Sequence, residues 1–113
     1  MHEMSVAQSL IEIIREEMDR HGAKHLRAVR LQVGEMSAVV PQLLAFSFDV
    51  ITSGTPLEGA RLMIETVPPE GRCAECGKQF EIRDYVFLCP ACGGSQIETL
   101  AGQELSLVDM EVD

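Results

Sequence analysis

The chain has 113 residues, is 46% hydrophobic and carries a formal net charge of −9 at pH 7. That length suits one compact unit or two small ones, with enough apolar residues for a modest core. The acidity disfavours binding to phosphate backbones, no apolar run is long enough to cross a membrane, and acidic residues appear too early for a leader peptide, so the expectation is a soluble cytoplasmic protein.

Ser5-Val6-Ala7-Gln8 has the spacing of a capping box, with Ser5 as N-cap and Gln8 reaching back. Val6, Leu10, Ile13, Ile14 and Met18 then recur at helical spacing, and Gly22 fits the stop. A helix over roughly residues 6–21 is predicted. Val29, Leu31 and Val33 alternate with Arg30 and Gln32, as in a half-buried strand that ends or kinks at Gly34. Pro41 is placed for the first turn of a second helix, striped by Leu44, Phe48 and Ile51 and widened by Leu43, Phe46 and Val50. Ser53-Gly54-Thr55-Pro56 stops it. A second strand follows, with Leu62, Ile64 and Thr66 on one side, and Pro68-Pro69 ends it.

Residues 70–101 differ in texture, with paired cysteines, glycines and three short strand candidates at 80–82, 86–88 and 97–99. Gly102 marks the exit. The closing stretch alternates again, with Leu105 and Leu107 on one face and Val108, Met110 and Val112 on the other. The slip of phase between Leu107 and Val108 suggests a bulge or a strand covered on both sides. Strand, helix and strand form a crossover whose strands should be parallel and whose hand should be right. The last strand lacks a partner of its own and should return to the same sheet. The expected class is therefore α+β: a small mixed three-stranded sheet with two helices (residues 1–68 and 102–113), interrupted by a four-cysteine module at 69–101.

All four cysteines lie in that module, as Cys73-Ala74-Glu75-Cys76-Gly77 and Cys89-Pro90-Ala91-Cys92-Gly93. Two C-x-x-C-G knuckles can close a tetrahedral four-thiolate site, and zinc is the metal expected there, with rubredoxin-like iron as the alternative. Each glycine takes the positive φ that ends the turn and lets backbone N–H groups face sulfur. Four protein ligands leave no open position for hydrolysis, so the zinc reads as a staple for a module too small to fold alone. Acidic side chains outnumber basic ones there, and a nucleic-acid strand would not settle on it.

His2 alone reads as a bystander near a chain end. Its neighbours change that. A large residue at position 2 blocks removal of Met1, leaving a free amine. The amine, the His2 amide nitrogen and the imidazole Nδ1 then form adjacent five- and six-membered chelate rings. Such a near-planar nitrogen set suits Ni(II) or Cu(II) and not Zn(II). Glu3 offers a further backbone nitrogen or a carboxylate. Binding that displaces protons is pH-dependent and labile, which suits a carrier more than an enzyme. His21 and His25 straddle Gly22 and are not expected to be ligands.

Met1-His2-Glu3-Met4-Ser5, Val33-Gly34-Glu35 after the first strand, the paired C-x-x-C-G motifs and the closing Glu104-Leu105 strand follow one another over essentially the whole chain. In that order they resemble the HypA/HybF family of hydrogenase nickel-incorporation proteins. The resemblance implies a nickel metallochaperone, not an enzyme, that delivers Ni(II) to the nickel-iron site of hydrogenase and in some organisms to urease. It implies a HypB-family GTPase and the hydrogenase large-subunit precursor as partners, with no nucleic acid and no membrane. The sequence leaves open whether the chain forms a homodimer or swaps its last strand. His2 is implied as the essential nickel ligand with Met1 and Glu3 beside it, and Cys73, Cys76, Cys89 and Cys92 as zinc ligands. Some relatives carry histidines beside the zinc cysteines; this chain has Lys78 and Ser95 in those neighbourhoods, so roles for such histidines do not transfer. A zinc-ribbon adaptor without metal transfer is the alternative function, and a thiol redox enzyme a third.

Overall fold

A computed structural model describes residues 3–113, so Met1 and His2 lie outside the described residues. The elements are α1 (Glu3–Arg20), β1 (Leu26–Gly34), α2 (Pro41–Thr52), β2 (Arg61–Val67), β3 (Glu70–Cys73), β4 (Gln79–Glu81), β5 (Ile97–Ala101) and β6 (Leu105–Val112). They make two separate sheets, ordered β2-β1-β6 and β4-β3-β5. In the first, β1 pairs parallel with β2 and antiparallel with β6. This is the expected mixed sheet, with the last strand returning after the cysteine segment. The second is antiparallel throughout.

Helix α1 starts earlier than its local signal. Ser5 lies inside the helix and is exposed, so it is not the N-cap; Glu3 supplies the acidic residue of the first turn. The stop at Gly22 is as expected: φ is +65°, and the Ala23 N–H bonds back to the Met18 carbonyl at 2.9 Å, the six-to-one closure of a Schellman motif. The helix buries Val6, Ala7, Leu10, Ile11, Ile14 and Met18. Ile13, placed on the stripe by its spacing, is instead 47% exposed.

Helix α2 opens with Pro41 behind Val40, an extended N-cap that makes no side-chain cap bond. Leu44 and Phe48 are fully buried, but Leu43, Phe46 and Val50 face outward, Phe46 at 65% exposure. The apolar face of α2 is wider than the surface available to cover it. Leu44 and Phe48 meet Ile14 of α1 and Val29, Leu31 and Val33 of β1 in one core. Each such side chain contributes about 1.5–3 kcal/mol of burial, set against the entropy of ordering the chain.

Strand β6 carries the bulge its phase slip predicts. Arg30 stands opposite Asp109 and Leu31 opposite Leu107, leaving Val108 as the extra residue. The bulge returns Met110 to the side of Leu107, so both pack on the core, and Met110 does not share a face with Val108 as simple alternation implied.

In the second sheet, β4 and β5 match two strand candidates. Residues 86–88 form no strand; Asp84 and Tyr85 take positive φ and turn the chain into an exposed loop. Strand β3, Glu70-Gly71-Arg72-Cys73, has no apolar alternation to announce it and owes its conformation to pairing on both edges.

The sheets meet where β1 ends. A Cβ on Gly34 would overlap the carbonyl of Gly102, and one on Gly102 would stand 2.6 Å from the Pro69 Cα. Two backbone bonds close this junction: Gly34 N–H to Glu104 O (2.7 Å) and Met36 N–H to Gly102 O (2.7 Å). The molecule is long, with extents of 54 × 25 × 17 Å.

Candidate metal centre

The two knuckles are built alike. In the first, the Gly77 N–H donates to Cys73 O (2.8 Å) and the Cys73 N–H to Lys78 O (2.9 Å). In the second, Gly93 donates to Cys89 O (2.9 Å) and Cys89 to Gly94 O (2.9 Å). Gly77 and Gly93 have φ of +79° and +74°, the left-handed conformation expected at each turn's end. The closing carbonyls of Lys78 and Gly94 follow from the repeat of spacing, since each lies five residues after the first cysteine of its knuckle.

These turns bring all four sulfurs within 4.8 Å of one another. Cys73 and Cys92 Sγ are 3.6 Å apart, and Cys76 and Cys89 Sγ 3.5 Å. A tetrahedron with metal–sulfur bonds of about 2.3 Å has edges of about 3.8 Å. The sulfur set therefore fits a four-coordinate ion with little movement. Cys73 and Cys89 are buried, Cys76 and Cys92 exposed, so the inner pair packs in the ribbon and the outer pair faces solvent.

The backbone prepares the sulfurs for a cation. The Cys92 N–H beside Cys89, opposed by desolvation, brings that thiol down to about 6. Cys92 is pulled down by the Gly94 N–H, yet the sulfurs of Cys73 and Cys89 push it up to about 12. Four sulfurs this close cannot all ionise without a positive charge between them. A divalent metal held by Cys73, Cys76, Cys89 and Cys92 would supply that charge and stabilise the thiolates.

The sequence places three further candidates at the amino terminus. Met1 and His2 lie outside the described residues. Glu3 is described, and its Oε2 accepts the backbone N–H of Val40 at 3.1 Å. That contact joins the start of α1 to the start of α2 across 37 positions. No sequence signal marks it, because the donor is main chain. His21 Nε2 lies 3.6 Å from Glu17, and His25 Nδ1 lies 3.5 Å from Asp113. Among the described residues, neither joins a group of metal-ligating side chains; the four cysteines are the one such cluster.

The model of the family described as "Hydrogenase/urease nickel incorporation, metallochaperone, hypA" matches residues 1–112. The chain belongs to the HypA family. A hydrogenase maturation factor HypA of Geobacter metallireducens is 44% identical over 113 residues, covering all of both chains. Its counterpart in Streptomyces avermitilis is 43% identical over 112 residues, 97% of this chain and 86% of that one. Among solved structures, the nickel metallochaperone HypA of Helicobacter pylori aligns with a TM-score of 0.70 and 27% identity over 99% of this chain and 97% of that one. A second HypA solution structure aligns at 0.74 and 28% identity over 99% and 96%. This HypA-family chain is thus a maturation factor of the nickel-incorporation class and not an enzyme. Its role places it with the hydrogenase maturation machinery. No helix among the described residues is long and apolar enough to cross a membrane.

Proposed function

We propose that this chain binds Ni(II) at its amino terminus through Met1, His2 and Glu3. It delivers the ion in the cytoplasm during maturation of [NiFe]-hydrogenase, and of urease where that enzyme is the recipient. The observation that carries the reading is the full-length match to a nickel-incorporation family, which includes the opening Met-His-Glu. The start of α1 at Glu3 supports it. First-turn amides have no acceptor within the helix, so a metal can displace their protons without breaking a helical hydrogen bond. The protons released by amine and amide pass to solvent, and acid reverses the binding.

In the same proposal, residues 1–68 and 102–113 form the nickel-binding domain and residues 69–101 a ribbon held by zinc on Cys73, Cys76, Cys89 and Cys92. Bound zinc supplies no reaction; it fixes the two knuckles on one centre. A HypB-family GTPase and the hydrogenase large-subunit precursor are the partners on either side of the transfer.

Equilibrium dialysis of untagged protein against Ni(II), followed by metal analysis, tests the reading. One nickel beyond the zinc is expected, with a weak d–d band of square-planar nickel. A tag fused ahead of Met1, or His2→Ala, should abolish it while zinc content and folding stay intact. Unchanged nickel affinity in both variants would refute it and favour the ribbon adaptor.

A further inference from the structure

We propose that the outer edge of β6 receives an extended, basic strand from a partner protein. That strand lies in the groove beside α1 and becomes the fourth strand of the first sheet. The proposal is independent of the metal sites.

Strand β6 ends the order β2-β1-β6, and among the described residues no strand pairs with its outer side. One row of main-chain donors and acceptors is therefore open along Leu105–Val112. Helix α1 overhangs that edge. Its Ile13 has the spacing of a core residue yet is 47% exposed, because the sheet stops one strand short of covering it. A cleft of about 200 Å³ between Leu10 and Ile13 of α1 and Leu105 and Leu107 of β6 marks the missing width. A second cleft shares Ile13 and Leu107 and continues beside Met110 and Val112. The two make one groove along the strand. Leu105, Leu107 and Met110 stand opposite Val33, Leu31 and Val29 of β1, so they share the helix side of the sheet. A strand added at the usual spacing of about 4.8 Å would turn alternate side chains into this groove.

The other face of β6 has different chemistry. There Asp109 and Glu111 stand opposite Arg30 and Ala28. Asp109 is matched by Arg30 at 3.5 Å, whereas Glu111 makes no ion pair among the described residues. No Lys or Arg lines either cleft. An incoming strand is therefore selected on both faces. Apolar side chains on its helix side fill the groove, and Lys or Arg on its open side meets Glu111 on a chain of net charge −9. The same charges disfavour a second copy, since two β6 edges paired about a two-fold axis would set both pairs of acidic side chains on one face. The bulge at Val108 and the acidic residues protect the edge against indiscriminate pairing, and they leave a basic strand admissible.

Two blocked peptides of eight residues, the length of β6, probe the edge. One alternates valine with lysine, the other valine with glutamate. Each is titrated into the full, zinc-loaded chain at low salt and followed by amide NMR. The lysine peptide should shift signals of β6 and of α1 around Ile13, and slow exchange of the β6 amides that point away from β1. It should bind at least about tenfold tighter than the glutamate peptide. Ile13→Glu closes the groove and should weaken the lysine peptide about tenfold, with the circular dichroism of the parent. Glu111→Lys changes an exposed side chain outside the groove, and should cut the preference for lysine at least about threefold. Equal affinity for the two peptides, shifts confined to α2 or residues 70–101, or no binding up to about 1 mM would overturn the proposal. So would an unchanged preference in Glu111→Lys, whatever the fate of Ile13→Glu. Light scattering that finds a dimer dissolved by Ile13→Glu would give the edge to a second copy and overturn it as well.

Discussion

Replacing Gly34 by alanine tests the close junction between the two sheets. Gly34 has no unusual φ, so its need is for space and not for conformational freedom. The added Cβ would overlap Gly102 O and C and stand 2.6 Å from Gln103 N, all main-chain atoms that cannot rotate away. Gly102 is itself backed against Pro69, which blocks a retreat on that side. Relief therefore requires the β5–β6 link to move, and that strains or breaks the bonds Gly34 N–H to Glu104 O and Met36 N–H to Gly102 O. Overpacking of about 1–3 kcal/mol and about 1 kcal/mol for each lost bond give a cost of about 3–5 kcal/mol. A domain of this size has roughly 5–15 kcal/mol to lose. Urea unfolding at fixed excess Zn(II), read by helical circular dichroism, measures the change. Gly54→Ala is the control: it has φ of +76° and open space around it, so only the left-handed backbone, about 1–2 kcal/mol, opposes the substitution. A Gly34→Ala protein less than about 1 kcal/mol below the parent, or more stable than Gly54→Ala, would refute the steric reasoning.

Three further outcomes follow from the core and the cysteine cluster. Phe48→Ala should cost about 3–5 kcal/mol while Phe46→Ser stays within about 0.5 kcal/mol, because Phe48 is fully buried and Phe46 is open to solvent; paired urea melts compare them. Cys73→Ser should lose the bound metal and the fold of the 70–101 segment while leaving the helices formed, as metal analysis with amide NMR would show. Metal held by the cysteines should weaken as pH falls. The Cys89 thiol, lowered to about 6, gives the metal-free site one thiolate near neutral pH that protons remove below that value. Competition with a chromophoric chelator across this range checks the sign: affinity must rise, not fall, with pH.

The cysteine knuckles were legible because all their determinants are local. Spacing, glycine position and ligand chemistry lie within five residues of each other, and the structure realises them twice. The strand that returns to the first sheet, and its bulge at Val108, were legible for a related reason: one-sided burial writes its phase into the sequence. What depended on distant partners was not. The local capping pattern places the start of α1 at Ser5, whereas Glu3 begins the helix and bonds to Val40 far along the chain. Leu43, Phe46 and Val50 have the spacing of core residues, yet periodicity cannot tell whether a neighbour exists to cover them. Residues 86–88 are as apolar as a strand, but positive φ at Asp84 and Tyr85 diverts them, and the polar β3 is a strand only because two others flank it.

The elongated outline of the molecule has a bearing on how its solution mass is judged. Its Cα radius of gyration is 17.6 Å, against roughly 13 Å for a compact chain of this length. The cube of that ratio is roughly two, so a single copy sweeps out the volume of a compact pair. On a gel-filtration column calibrated with round standards it should emerge earlier than a compact 12.4 kDa chain, toward the position of a dimer. It should also tumble anisotropically, with its long axis lagging in NMR relaxation. Light scattering weighs mass regardless of outline, and so separates one long protomer from two.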